Sequence, residues 1–185
     1  LEQMPGVPQI GVFDTSFYSG IEEFRYIYPL PLKYYEQKKI RRYGFHGTSH
    51  RYVAARAAQL AGKPIEELKI ITCHLGNGSS ITAVKGGKSI DTSMGFTPLD
   101  GVVMGTRTGS VDPSAVTFVA QKHGFSPAEM SDYMNKKSGF LGLSGISSDN
   151  REISAAAKEG DKKSLLVCDM LTYEIKKYIG AYTAA

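Results

Sequence analysis

Four features of this chain have the residue types that could handle a phosphoryl group. Asp14 follows a short apolar run and precedes two hydroxyl residues, a pattern that can hold a hydrated Mg²⁺ or can simply cap the next segment. His46 lies between Phe45 and a glycine, where it could be structural or could bind an anion beside a helix start. Residues 76–80 (GNGSS) form a tight turn whose bare N–H groups and hydroxyls could cradle phosphate oxygens. Arg107 is an isolated guanidinium between glycines.

Phosphoryl transfer asks a protein for this set of groups, because Mg²⁺, cations and oriented donors must surround the transferring phosphate. Spacing alone gives a weak signal, since the glycine turn lacks the GxxxxGK[ST] pattern and no GxGxxG opens a helix after a strand.

Charge and composition narrow the class of protein. The net charge of +4 suits a small anionic substrate, and the chain lacks the basic stripe that is typical of nucleic-acid binders. No run of 18 apolar residues is present, so we expect no membrane span. Cys73 and Cys168 lie far apart, which favours buried free thiols in a reducing cytoplasm over a disulfide.

The elements that must position these residues begin with strands. β-branched and apolar residues predict strands at 69–73, 81–84 and 89–92, and the turn at Gly86–Gly87 favours an antiparallel meander of the three. A further buried strand is predicted at 8–13, ending at the carboxylate.

Helices account for most of the remainder. A short strand at 41–45 is expected to lead into a helix capped by Thr48 or Ser49, with Val53, Ala57 and Leu60 on one face. Residues 139–145 read as a glycine-rich loop. Strands with short turns followed by helices indicate an α/β or α+β domain. The predicted helices cover residues 31–38, 50–61, 113–122, 126–137, 148–158 and 162–182.

Five segments resemble the acetate kinase family, in the family's order and over essentially the whole chain. They are RRYGFHGTSH (41–50), CHLGNGSS (73–80), DTSMGFTPLDG (91–101), MGTRTGSVDP (104–113) and MNKKSGFLGLSG (134–145). The resemblance implies membership of the acetate and sugar kinase, heat-shock ATPase and actin superfamily. It implies an α/β, ribonuclease-H-like (actin-like ATPase) fold, in a two-domain kinase that holds the nucleotide in the interdomain cleft.

The resemblance also implies roles for individual residues. Asp14 would be a catalytic residue that holds Mg²⁺ (or Mn²⁺). His46 would hydrogen-bond the phosphoryl group, and Arg107 would pair with it. Residues that would lie along the phosphates of ATP or ADP are His74, Leu75, Gly76, Asn77 and Gly78.

Phe45 and Pro98 would form part of an apolar pocket for the acyl methyl group of acetate. The implied reaction is reversible in-line transfer between ATP and acetate, giving acetyl phosphate and ADP. A propionate or butyrate kinase is the alternative within the superfamily, and a noncatalytic actin-like nucleotide-binding protein is the alternative from another class.

The resemblance covers only the middle of such an enzyme. Residues 1–17 would end the N-terminal domain and residues 18–185 would begin the second, so we expect these 185 residues alone to be inactive. The full-length protein is expected to be a cytoplasmic homodimer that binds neither nucleic acid nor membrane.

Overall fold

Three antiparallel strands form a meander in the computed structural model, which describes residues 3–185. β1 (Lys69–Leu75) pairs with β2 (Ser79–Lys85), which pairs with β3 (Lys88–Thr92). The register places Thr72 opposite Thr82, and the ladder shifts between Ala83 and Val84. The predicted meander is therefore confirmed, with strands one to three residues longer than expected.

The middle strand has both of its faces covered. Six of the seven residues of β2 are buried, which is the pattern of a strand packed on both sides. Within β2, Thr82 pairs with Thr72 of β1 and with Thr92 of β3, and both partners are buried. Together with Ser80 and Thr82 they give this part of the sheet a hydroxyl-rich lining instead of an aliphatic one.

Eight α-helices are present in residues 3–185, along with two short 3₁₀ helices. Asp112, Ser126, Asp149 and Asp161 cap the four helices that follow them by accepting backbone N–H groups, as Asp and Ser do at helix starts. The helices are α1 (Glu23–Tyr26), α2 (Lys33–Lys38), α3 (Gly47–Ala61), α4 (Pro113–His123), α5 (Pro127–Lys136), α6 (Gly139–Ser144), α7 (Asn150–Lys158) and α8 (Lys162–Thr183), with 3₁₀ turns at Asp14–Tyr18 and Ile65–Glu67.

Packing divides the molecule around the sheet. Helix α3 lies on β1 and on the 3₁₀ turn Asp14–Tyr18, whereas α8 contacts β1, β2, α6 and α7. An apolar core between the helices is built by Val103, Phe140, Ile153 and Val167. None of the helices in residues 3–185 is long and apolar enough to cross a bilayer.

Two predicted strands are wrong. Residues 8–13 form no strand, and the side chains of Ile10 and Val12 are 83% and 78% exposed. Residues 41–45 also form no strand, because their backbone bonds are isolated ones, such as that from Arg42 N–H to the Tyr26 carbonyl. An apolar or β-branched run becomes a strand only when a neighbouring backbone is available to pair with it.

The start of α3 differs from prediction, and the helix buries a face other than that of Val53 and Leu60. The helix begins at Gly47, and its buried residues include His50, Ala54 and Ala58, whereas Val53 and Leu60 are exposed. Small residues are buried here because the helix approaches the sheet closely, and a Cβ at Gly47 would overlap the carbonyl oxygen of Asp14.

Residues 139–145 are not a loop. They form α6, whose first N–H groups donate to the segment that carries Arg107. Both cysteines are free, but Cys73 is exposed rather than buried.

Candidate active site

His46 is held in a strained backbone conformation at the start of α3. It has a positive φ of 58°, which is uncommon for any residue with a side chain. Its carbonyl accepts the first helical hydrogen bond, from the His50 N–H (3.0 Å), and its own N–H donates to Asp14 Oδ2 (2.6 Å). Strain of this kind persists where surrounding contacts hold it, and it gathers at functional sites.

Asp14 therefore has a structural partner as well as a predicted metal role. Its side chain is exposed, and its Oδ2 accepts from the N–H of His46. The residue does not cap the 3₁₀ turn that it begins, whose N-cap is Phe13. Within residues 3–185 no group of three or more His, Cys, Asp or Glu side chains is arranged to hold a metal ion. One carboxylate is still compatible with Mg²⁺, which usually keeps several waters and binds one or two carboxylates plus phosphate.

Gly78 brings His46 and Arg107 to one point. A Cβ at Gly78 would lie 3.3 Å from His46 Nε2 and 3.2 Å from Arg107 Nη1. The chain from β1 to β2 can turn beneath these two groups because residue 78 has no side chain. The imidazole, the guanidinium and the glycine turn, three of the groups singled out in the sequence, thus lie together.

The turn itself is partly closed by its own hydrogen bonds. The Gly76 N–H donates to the Gly78 carbonyl (3.1 Å), and the Ser79 hydroxyl donates to the Gly76 carbonyl (2.9 Å). Asn77 links the turn to the next segment, since the Gly105 N–H donates to the Asn77 carbonyl (3.4 Å). The N–H of Gly76 is therefore not one of the bare donors that the sequence suggested.

Helix α6 and its neighbours fix the segment that carries Arg107. The N–H groups of Ser138, Phe140 and Leu141 donate to the carbonyls of Thr106, Met104 and Gly105, at 3.0, 2.9 and 3.0 Å in that order. Because three successive carbonyls are anchored, the segment has little freedom to move its arginine.

The guanidinium is fixed as well. Arg107 Nη1 donates to the carbonyl oxygen of Pro98 (2.9 Å), so Pro98 orients the arginine through its backbone. Phe45 also contributes a carbonyl, which accepts a short hydrogen bond from the hydroxyl of Tyr18. Their predicted role as an acyl pocket stays a prediction.

The two histidines at the turn are stacked. The rings of His46 and His74 lie 4.0 Å apart at an interplanar angle of 20°, and His74 Nδ1 hydrogen-bonds Ser49 Oγ (2.8 Å). Burial lowers the pKa of His46 from its usual value, and the nearby His74 and Arg107 lower it further against an opposing effect of Asp14. At neutral pH His46 is thus a neutral imidazole.

Sequence reasoning missed the groups behind His46. Ser80 Oγ lies 2.9 Å from His46 Nδ1 and 2.6 Å from His50 Nε2, and His50 Nδ1 lies 2.7 Å from Thr72 Oγ1. Burial, with smaller effects of His74 and His46, lowers the pKa of His50 to about 4. Hydroxyl residues within two neighbouring strands were the available signal.

A cavity beside the turn was also missed. It has a volume of about 370 Å³, and α7 begins at its edge. Leu75, Gly76 and Asn77 were predicted to lie along a nucleotide, and here they share the lining with residues 148–150. In the sequence, residues 148–150 are recognisable only as the start of the helix predicted at 148–158. The lining residues are Leu75, Gly76, Asn77, Ser79, Phe140, Ser148, Asp149, Asn150 and Leu171.

The fold is an α/β domain in which a glycine turn brings an imidazole and a guanidinium together. The model of the acetokinase family matches residues 1–185, and the chain belongs to that family. It is 62% identical over 183 residues to the acetate kinase of Thermoanaerobacter pseudethanolicus, a match that covers 98% of this chain and 46% of that relative.

Solved structures agree. The crystal structure of Porphyromonas gingivalis acetate kinase superposes with a TM-score of 0.95 at 51% identity, covering 97% of this chain and 45% of that one. A propionate kinase from Francisella tularensis superposes with a TM-score of 0.94 at 42% identity, covering 99% of this chain and 47% of that one. The chain spans about half the length of the relatives it matches. The predicted family and the predicted α/β, actin-like ATPase fold class are confirmed.

Proposed function

We propose that this chain provides the phosphoryl-transfer centre of an acetate kinase, which reversibly converts ATP and acetate to ADP and acetyl phosphate. The observation that carries the proposal is the convergence of His46 Nε2 and Arg107 Nη1 at Gly78, in a chain so similar to known acetate kinases. A propionate kinase is the second candidate, because a propionate kinase structure matches almost the whole chain.

Charge compensation is the main task of such a site. A carboxylic acid has a pKa near 4–5, as the Glu side chain does (about 4.3). Acetate is therefore already ionised at neutral pH and needs no general base. What opposes reaction is the approach of one anion to another. Arg107, held by the Pro98 carbonyl, offers a fixed positive charge at the transferring phosphoryl, and His46 offers a hydrogen bond.

Asp14 would hold the Mg²⁺ (or Mn²⁺) of the nucleotide through water, and the ion would neutralise charge on the phosphates. The nucleotide would pass over His74, Asn77 and Gly78 and extend into the cavity that residues 148–150 complete. Phe45 and Pro98 would contact the acyl group.

The remaining parts of the proposal concern the whole protein. Residues 1–17 would end one domain and residues 18–185 would begin the other, with the active site in the cleft between them. The full-length protein would work as a homodimer in the cytoplasm.

The test is acyl phosphate formation by the full-length protein, trapped with hydroxylamine in the presence of Mg-ATP and either acetate or propionate. Arg107→Ala should lower kcat by roughly 10²–10³, because a preorganised group at the developing charge is removed. Arg56→Ala is the matched control, since that arginine lies on an exposed face of α3 and contacts Gln59.

Near-normal turnover of Arg107→Ala would remove this residue from the chemistry. A higher kcat/KM for propionate than for acetate would favour the second candidate. Absence of any acyl phosphate, together with retained ATP binding, would support a noncatalytic nucleotide-binding protein.

A further inference from the structure

A continuous series of hydrogen bonds runs from the sheet to Nδ1 of His46, whereas Nε2 of the same ring lies near Gly78. It passes from Thr72 Oγ1 to the His50 imidazole (2.7 Å), to Ser80 Oγ (2.6 Å) and to His46 Nδ1 (2.9 Å). The relative exposures of Thr72, His50 and Ser80 are 3%, 1% and 0%, so water does not compete for these bonds. We call this series the hydroxyl–imidazole chain.

The single proton of the Ser80 hydroxyl couples the tautomers of His46 and His50. A hydroxyl has one proton to donate, and a neutral imidazole donates from one nitrogen and accepts at the other. Within the part of the protein that the structure describes, the Ser80 hydroxyl has the two imidazoles as its hydrogen-bond partners. Ser80 must then donate to one imidazole and accept from the other, because a buried hydroxyl proton without an acceptor is costly.

Matched tautomers follow from this count. When Ser80 donates to His46, it accepts from His50, and both rings carry their proton on Nε2. When Ser80 donates to His50, it accepts from His46, and both rings carry their proton on Nδ1. His50 is neutral at physiological pH, because burial lowers its pKa to about 4. It therefore has one donor and one acceptor nitrogen, as these two patterns require.

The end of the chain at Thr72 favours one of the two patterns. In the Nε2–H pattern Thr72 donates to His50 Nδ1 over 2.7 Å. In the other pattern its proton goes to the Thr82 carbonyl over 3.4 Å, which is long for an O–H···O bond. The Thr72 proton therefore has a close acceptor only in the pattern that leaves a proton on His46 Nε2.

We propose that Ser80, His50 and Thr72 are positioning residues that fix neutral His46 in the tautomer whose Nε2–H faces the anion site at Gly78. Phosphoryl oxygens only accept hydrogen bonds, so the other tautomer would present a lone pair to them. The benefit to catalysis rests on the proposed function, whereas the matched tautomers rest on the hydrogen bonds alone.

The direct test is ¹⁵N NMR of the histidine rings in the 185-residue chain, at a pH of about 8, where imidazoles are neutral. We expect both His46 and His50 to show Nε2–H. Opposite tautomers on the two rings would overturn the coupling, and Nδ1–H on both would overturn the assigned direction.

Ser80→Ala breaks the chain at its centre. It should move the ring ¹⁵N shifts of His46 towards those of a free, tautomer-averaged imidazole. Ser89→Ala is the matched control, because it removes another buried hydroxyl of the sheet, one that has no hydrogen-bond partner within the described residues. Unchanged His46 shifts in Ser80→Ala would contradict the proposal.

Kinetics of the full-length protein give the second readout. Ser80→Ala should lower kcat at least tenfold, because loss of the group that sets a catalytic imidazole's tautomer costs as much as about 10⁴ in serine proteases. KM for ATP and for acetate should change less than about threefold, and Ser89→Ala should match the wild type. A Ser80→Ala variant with normal kcat would overturn the catalytic role.

The two proposals can fail separately. Matched Nε2–H tautomers in a protein that forms no acyl phosphate would overturn the proposed function and leave the positioning role of Ser80 standing. Unmatched tautomers in an active kinase would overturn the positioning role and leave the function standing.

Discussion

Gly78 shows how the absence of a side chain can create a site. His46 Nε2 and Arg107 Nη1 both lie close to the position that its Cβ would occupy, and they come from residues 32 and 29 positions away along the chain. Any larger residue would fill the point at which both groups are aimed. Gly78 does not have a positive φ, so glycine is needed here for space and not for its backbone freedom.

Gly78→Ala should therefore reduce activity much more than stability. The new methyl group would lie against the imidazole and the guanidinium, and displacing a reacting group by about 1 Å can reduce the rate by roughly 10². Gly20→Ala is the matched control, since a Cβ there meets nothing within 4 Å. kcat and the melting temperature of both full-length variants provide the measurement.

Equal activity of the two glycine variants would show that the space at Gly78 is not used by substrate. A large fall in melting temperature for Gly78→Ala alone would mean that the turn itself had been disrupted.

Among the elements, helix α6 holds the glycine-containing segment that carries Arg107 in place through backbone hydrogen bonds. The helix is short, but its first N–H groups have no partners within the helix and donate instead to the carbonyls of Met104 and Gly105. Gly139 makes this approach possible. It has a φ of 62°, and a Cβ there would overlap the Met104 carbonyl oxygen.

Gly139→Ala should destabilise the protein by more than the backbone conformation alone accounts for. A left-handed conformation costs an alanine about 1–2 kcal/mol, and the overlap with backbone atoms adds to that. Gly124→Ala isolates the first effect, because Gly124 has a φ of 68° but open space around its Cα. Urea unfolding of the two variants gives the comparison.

We expect Gly139→Ala to reduce the free energy of unfolding more than Gly124→Ala does, and to lower kcat as well. Equal reductions would show that the close contact between α6 and the Arg107 segment does not contribute to stability.

Across the whole molecule, the helices that pack on the sheet bury different chemistry. Next to α3 lie buried hydroxyls of the sheet and the uncharged His50, whereas α8 contributes Val167 to an apolar core with Ile153. A buried neutral histidine links the stability of the folded chain to pH.

Acidification should destabilise the fold through His50. Its pKa in the folded protein is about 4, whereas an unfolded histidine has a pKa near 6.5. Between these values the unfolded chain binds a proton that the folded chain does not, so the free energy of unfolding falls as pH falls through this window. The full effect is on the order of 3 kcal/mol.

Urea unfolding of the wild type and of His50→Gln between the two pKa values measures this effect. The variant should show a shallower pH dependence, and His123→Gln, at an exposed position of α4, should keep the wild-type slope. Parallel curves for the wild type and His50→Gln would contradict the depressed pKa.

The local features of this protein can be predicted from its sequence. The meander, the helices predicted from residues 113, 126 and 148, and the extent of α8 depend on neighbouring residues, whose preferences act over a few positions. The five family segments were also readable, and the comparisons confirm the family and the fold class that they implied.

The contacts between distant residues, in contrast, depend on how the elements pack. Residues 8–13 carry a strand-like pattern but have no backbone to pair with in the described chain. Helix α3 buries Ala54 and Ala58 because it packs on β1 and on the 3₁₀ turn Asp14–Tyr18. The hydroxyl–imidazole chain joins Thr72, Ser80 and α3 across 34 positions of sequence or fewer. Such contacts depend on how elements pack rather than on local preference, so no pattern of neighbouring residues could reveal that Ser80 stands between two histidines.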